Sequence, residues 1–226
     1  MAYLRNFDGE SNGAVANYAN GNAGSGSPTF TIDDTVFFGG SGKSLKLSNN
    51  STNNQHSWKY DSASELDSGD GTYECVMRLG TVNDAGRCRT GFVFRGNSGG
   101  TTCYVAMIRP TNTGTNTTIR LSRYSGGTET AVATFDYGSV ILTNTWYHLK
   151  VFASGSALKA RAWKDGDSEP STWQIDTTDA TYDNTNKKTG FFFFNSVTSL
   201  GESYIDSISE TAGGGITPNS GFFALI

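Results

Sequence analysis

Positive charge is scarce in this chain. Lys and Arg total 17 against 21 Asp and Glu, a formal charge of −4. That balance argues against nucleic acid as a partner, because neutralising phosphates takes clustered cations. No run is long and apolar enough to span a membrane. The opening residues, MAYLRNFDGE, lack the basic and then apolar layout of a secretion leader. The expectation is a chain that stays in the cytosol that made it, or leaves by another route, such as inside a virus particle. A fragment with an added Met is the further alternative. Histidine is almost missing: His56 and His148 are the two present, and neither lies in a nucleophile motif such as G-x-S-x-G. Cysteine is rare and odd in number, Cys75, Cys88 and Cys103, without metal-ligand spacing. Cys75 and Cys103 fall in strand-like runs, so buried free thiols are expected and a disulfide framework is not. A sustained 3.6-residue period is absent too.

What remains is rich in Gly, Ser, Thr and Asn, a composition suited to many short strands joined by tight turns. Residues 10–28 read as a long loop. Strands are expected at 29–38, 43–48, 56–60, 72–79, 89–96, 102–109, 118–124, 129–136, 146–153, 157–164, 189–195 and 203–210. The turn formers SGDG, GNSGG, YSGGTE, SGS and KDGDSEP lie between them. With no boundary among them, one antiparallel sandwich or barrel over residues 1–210 is expected. A Gly-rich linker and an apolar tail make up 211–226.

The most informative stretch is NTWYHLKVFASGSALKARAWKDGDSEPSTWQI, Asn144 to Ile175. Gly155-Ser156 suits a two-residue type II′ turn, in which the first central residue needs positive φ. That turn sets Ala153 opposite Leu158, Val151 opposite Ala160 and Leu149 opposite Ala162, with Tyr147 on the same apolar face. Phe152 then faces Lys159, Lys150 faces Arg161 and His148 faces Trp163. A one-residue slip would bury Lys159 and Arg161. One face is therefore core, and the other is an aromatic and basic strip of Trp146, His148, Lys150, Arg161 and Trp163.

Two runs break clean alternation. GFFFFN, Gly190 to Asn195, is apolar on both faces, so it reads as a central strand covered twice. SYIDSISE puts Ile205 and Ile208 on opposite faces of a regular strand, which calls for a bulge. The chain closes on GFFALI after AGGGITPNS. Phe222, Phe223, Leu225 and Ile226 are a solubility liability unless they dock, either on their own domain or on a neighbouring subunit.

The hairpin sequence, GFFFFN, the closing YIDSISE, and the early FDGE and SGKSLKL together resemble the concanavalin A-like, or laminin-G-like, jelly-roll domains. In that family a W-Y-x-L-x-V strand pairs with an L-K-A-R-x-W strand, followed by a D-G-x-x-E-P turn and another Trp. The resemblance covers about residues 3 to 210. It implies an all-β fold of two curved antiparallel sheets with its termini close together. The family includes lectins, glucanases, adhesion modules and virion proteins of tailed bacteriophages.

Glucanases of this fold carry a compact E-x-D-x-x-E strand, which is absent. The nearest carboxylates, Glu202, Asp206 and Glu210, would lie ~13 Å apart along a regular strand. Glycoside hydrolysis needs about 5 Å or about 6.5–9.5 Å. No catalytic residue is assigned. The acidic turns DSGDG (Asp67, Asp70) and DGDSE (Asp165, Asp167, Glu169) offer oxygen ligands, without EF-hand spacing. No cofactor is expected, although the resemblance allows a structural calcium. Sugars bind on aromatic platforms with polar groups close by, which makes Trp146, His148, Arg161 and Trp163 the glycan-binding candidates. The alternative is that these aromatics cover the sandwich while Lys150, Lys159 and Arg161 snorkel over them. The expectation is a non-catalytic accessory protein on a bacteriophage particle, a capsid decoration or tail-associated component at the virion surface. Its partners would be other virion subunits, or itself through the tail, and cell-surface glycans. A carbohydrate-binding module of a secreted enzyme is the competing reading, with a glucanase third.

Overall fold

The computed structural model describes residues 2–14, 18–21, 29–48, 55–61, 69–80, 88–110, 117–138, 142–182, 187–195 and 201–212. The described strands are β1 (Ala2–Asn6), β2 (Gly13–Ala14), β3 (Tyr18–Gly21), β4 (Thr29–Asp33), β5 (Ser44–Ser48), β6 (Gln55–Asp61), β7 (Gly71–Leu79) and β8 (Cys88–Gly96). They continue with β9 (Thr102–Pro110), β10 (Thr117–Ser125), β11 (Thr128–Asp136), β12 (Trp146–Ser154), β13 (Ala157–Lys164), β14 (Ile175–Thr178), β15 (Lys188–Asn195) and β16 (Glu202–Ala212). One antiparallel sheet runs β14-β13-β12-β7-β16-β5-β4-β2, with β1 also on β16; the other runs β11-β10-β9-β8-β15-β6-β3.

The hairpin has the expected register. Ala153 pairs with Leu158, Val151 with Ala160, Leu149 with Ala162 and His148 with Trp163. Gly155 has φ 53°. Ser156 does not share the positive φ, as a type II′ turn requires. Tyr147, Leu149, Val151, Ala153, Leu158, Ala160 and Ala162 enter the core between the sheets, each large apolar side chain there contributing about 1.5–3 kcal/mol.

β15 is covered twice. Phe191 and Phe193 join the inter-sheet core, whereas Phe192 and Phe194 join a second apolar cluster with Val93, Cys103, Val105, Met107 and Tyr124. Alternation along β8, β9, β10 and β15 places that cluster on the outer face of the seven-stranded sheet. Gly91 lies opposite Phe192 and Met107. A Cβ there would stand 2.3 Å from the carbonyl oxygen of Ala106, so only glycine permits this approach of β8 to β9.

The bulge in β16 is present. Its register on β7 shifts between Ile205 and Ser207, which turns both Ile205 and Ile208 inward. It also marks a change of neighbour: β5 pairs with Glu202–Ile205 and β1 with Ser207–Thr211. Asp206, in the bulge, accepts the Phe38 N–H at 2.7 Å. Cys75 and Cys103 are buried free thiols, and burial pushes both up in pKa. The side chain of Cys88 lies outside the described residues.

Three expectations are corrected. Residues 10–28 are not all loop, because β2 pairs with β4 and β3 with β6. These are edge strands of a Gly- and Asn-rich segment, drawn into place by their partners rather than by their own propensity. The strand expected at 29–38 stops at Asp33, whose carboxylate accepts the N–H groups of Thr35 (2.8 Å) and Val36 (3.0 Å) and turns the chain. Finally, β14, which its sequence did not announce, adds to the edge at β13. The tail residues Phe222, Phe223, Leu225 and Ile226 lie outside the described residues, as does Asp67.

Candidate functional site

The sequence strip occupies the outer face of the nine-stranded sheet. β12 supplies Trp146, His148 and Lys150, β13 supplies Arg161 and Trp163, and the neighbouring β7 adds Glu74 and Arg78 in register with Lys150 and Trp146. Trp163 is at the centre and only 8% exposed. The His148 ring stacks on it at 4.9 Å and 4°, and the Lys150 ammonium lies 5.5 Å from its centroid. Trp163 is therefore largely enclosed on this face. Trp146 is less enclosed, with Phe38 edge-on at 5.7 Å and the Arg78 guanidinium at 5.9 Å. Phe38 also meets His148 edge-on at 5.8 Å, which joins Trp146 to the central stack. Arg161 lies on the far side, its guanidinium 4.3 Å from the Trp173 ring centroid. It donates to the Pro170 carbonyl at 2.8 Å and pairs with Glu169.

Trp146, His148, Arg161 and Trp163 are thus on one face, but not as one open platform. Trp146 and Trp173 are both half-buried, one at each end of the belt. Trp173 was visible in the sequence only as a Trp after the DGDSEP turn. Phe38 comes from a loop far away in the chain, and nothing in its surroundings announced it. Arg78 also lies 5.6 Å from the Tyr204 ring, and Lys46 lies 5.7 Å from the same ring, so cations and aromatics alternate across the sheet.

Ion pairs hold the centre. His148 Nδ1 is 3.1 Å from Glu74 Oε1 and its Nε2 is 3.2 Å from Asp165 Oδ1. Lys150 reaches Glu74 at 3.0 Å and Glu169 at 2.8 Å. With a carboxylate at each ring nitrogen, the imidazolium is the form that can donate to both. The hydrogen bond to Glu74 raises the His148 pKa above its ordinary 6.5 against the opposing effect of burial, and Asp165 adds to the rise. The same bond, with Lys150, holds the Glu74 carboxyl below its ordinary 4.5 although burial opposes it.

A pH dependence follows. The His148 contribution is fully present below pH 6.5 and is lost as pH rises through its raised folded value. The Glu74 contribution is present above 4.5 and is lost as pH falls through its lowered value. In thermal unfolding, the parent should exceed His148→Gln by up to about 1 kcal/mol near the acid side of neutrality. The gap should close at alkaline pH. A gap that stays constant from pH 5 to pH 9 (both about) would mean that the imidazole acts by packing alone.

Several of the acidic candidates are paired within the fold. Asp70 pairs with Arg95 at 2.5 Å and accepts the Gly155 N–H at 3.2 Å. Asp165 serves His148, and the Asp167 N–H closes a turn on the Lys164 carbonyl at 3.1 Å. Among the described residues, no group of three His, Cys, Asp or Glu side chains gathers as a metal site. Glu202 pairs with Lys46 at 2.7 Å and accepts the Tyr204 hydroxyl at 2.9 Å. Burial raises the Asp206 carboxyl, and Glu210 is 4% exposed opposite Tyr73. The bulge turns Glu210 inward while Glu202 stays on the outer face, so it separates these carboxylates instead of converging them.

No protein-family model matches the sequence, and no curated protein matches it. Solved structures do. Carbohydrate-binding module CBM66 from Bacillus subtilis is similar at TM-score 0.58 and 18% identity, over 86% of this chain and 96% of that one. A β-1,3-1,4-glucanase (lichenase) derived from a mouse hindgut metagenome is similar at TM-score 0.55 and 10% identity, over 94% and 99%. The CBM2 module of the evolved Dit of Lactobacillus casei BL23 phage J-1 is similar at TM-score 0.50 and 11% identity, over 92% and 94%. At these identities the likeness is one of fold. With two facing antiparallel sheets and the strand nearest the N-terminus paired to the last strand described, this chain has the concanavalin A-like jelly-roll fold.

Proposed function

We propose that this domain is a non-catalytic glycan-binding protein and that it serves as an accessory component of a bacteriophage particle. The observation that carries the glycan reading is the belt on the nine-stranded sheet. Trp146 and Trp173 each offer a half-buried ring beside a guanidinium, and Glu74, Asp165 and Glu169 supply polar groups between them. Rings of this kind stack on the apolar faces of sugars while the polar groups bind hydroxyls. The likeness to a protein named as a carbohydrate-binding module supports the same reading. The particle setting is supported by the likeness to a module of a phage Dit, and by the apolar GFFALI segment as a means of attachment.

A glycan array tests the first part. Trp146→Ala and Trp173→Ala are expected to weaken binding about tenfold or more, as truncation of an aromatic anchor does, with little change in melting temperature. Trp163→Ala is expected to lower the melting temperature instead. An array that stays blank, or belt variants that bind like the parent, would remove the glycan reading. For the second part, an antibody to the domain should label intact particles, and a chain lacking residues 213–226 should fail to attach to particles stripped of it. Unlabelled particles would favour the module of a secreted enzyme.

A further inference from the structure

We propose a second site on the opposite side of the molecule. Arg89, Arg109 and Arg120, on the outer face of the seven-stranded sheet, bind the carboxylate of an acidic sugar. The inference deepens the glycan reading by naming a substrate class, and it rests on that reading for the sugar but not for the anion.

The strands bring the three cations together. Ile108 and the pair Ile119 and Leu121 point into the inter-sheet core, so Arg109 and Arg120 lie on the outer face by alternation. Arg89 reaches the same face, and its guanidinium stacks 4.3 Å from the centroid of Phe194, a member of the outer cluster. One carboxylate serves the group. Glu129 on β11 lies 3.0 Å from Arg89 and 3.1 Å from Arg120, and it accepts the Ser122 hydroxyl at 2.8 Å. Among the described residues no carboxylate pairs with Arg109. The Nε groups of all three arginines are buried without a hydrogen-bond partner, that of Arg120 despite its closeness to Glu129.

Arg109 is thus a partly buried cation beside two others. Burial, Arg89 and Arg120 all push its pKa below the ordinary value, against Glu129. Three cations share the single carboxylate of Glu129, and partly buried charge with too little counter-charge is costly. This arrangement is what a preorganised anion site requires. Arg89 is fixed by Phe194 and Glu129, Arg120 is fixed by Glu129, and Arg109 keeps its fork of donors for a planar carboxylate. The apolar residues beside it, Val105 and Met107, are fully buried, so on that flank water does little to screen the Arg109 charge. The belt of the other sheet differs in this respect. Its Lys150 and Arg161 are already paired with Glu74 and Glu169.

The test compares polygalacturonate with an uncharged glucan, and free glucuronate with glucose, at fixed ionic strength. The parent should bind polygalacturonate more tightly than the glucan, and salt should weaken the difference. Arg109→Gln should lose about tenfold or more of the polygalacturonate affinity, the size of a lost charged hydrogen bond. Lys187→Gln, which removes an exposed charge elsewhere, should bind like the parent. Glucuronate should raise the melting temperature of the parent but not that of Arg109→Gln, and glucose should do neither. If no polysaccharide binds yet glucuronate still stabilises only the parent, the anion site stands and the glycan reading of the belt fails. If Arg109→Gln and Lys187→Gln lose equally, or glucuronate acts no differently from glucose on the parent, the three arginines are not an anion site.

Discussion

Phe192→Ala is expected to cost as much stability as Phe193→Ala, about 3–5 kcal/mol each in urea unfolding. In a sheet covered on one side, neighbours along a strand differ sharply: the core residue is costly to truncate, and the outward one changes stability by about 0.5 kcal/mol or less. Here both rings have no solvent exposure. Phe193 packs in the inter-sheet core. Phe192 packs in the outer cluster with Val93, Val105 and Met107, and its ring is 5.1 Å from that of Tyr124 at 45°. Each alanine should leave a cavity that its neighbours fill only in part. Equal losses would establish that β15 is enclosed on both faces. A loss at Phe193 with none at Phe192 would show that the outer cluster is open in solution.

Asp70→Ala is expected to destabilise the domain by about 3 kcal/mol, the lower end of the range for stranding a buried charge. Arg95 has no solvent exposure. It adopts φ 48°, next to the register shift between β15 and β8, and this places a long cation where regular alternation would not. Its guanidinium donates to the Gly69 carbonyl at 3.0 Å, to the Tyr182 carbonyl at 3.2 Å and to Asp70 at 2.5 Å. Asp70 also holds the Gly155 N–H at 3.2 Å, so one carboxylate ties the hairpin turn to the buried arginine. Removing Asp70 leaves the charge in place without its counter-charge. Removing both partners, as Asp70→Ala with Arg95→Met, takes the charge away as well. The double variant should therefore be more stable than Asp70→Ala alone, measured as a double-mutant cycle in denaturant. If it is no more stable, the penalty has another origin than the stranded charge.

Asp70 shows how a local motif and a long-range contact differ. In the sequence DSGDG is an acidic turn with oxygen ligands to offer. The fold gives the second Asp to an arginine 25 residues later in the chain. Nothing in VFRGN marks Arg95 as buried, because its direction depends on a bulge and on Gly69 and Tyr182 closing around it. The same holds for Trp163. Its pairing with His148 was readable, but its enclosure depends on Lys150 reaching over the ring, between Glu74 on β7 and Glu169 beyond the hairpin.

Where the information was local, the sequence alone determined the outcome. Gly155 accepts positive φ at no steric cost, so the turn type and the whole β12–β13 register followed from two residues and the alternation beside them. GFFFFN leaves no polar face, so β15 had to be central. Ile205 and Ile208 cannot both face inward on a regular strand, so β16 had to bulge. The tertiary structure alone decided which strands would meet. The short β2, β3 and β14 exist because a partner strand was available. β16 passes from β5 to β1 at its bulge. Arg89, Arg109 and Arg120 come from three strands, and each reads in sequence as an ordinary outward cation. Pairing between distant strands is set by closing loops and by burial that many residues share. A single segment carries almost none of that information, whereas a turn or an alternating run carries nearly all of its own.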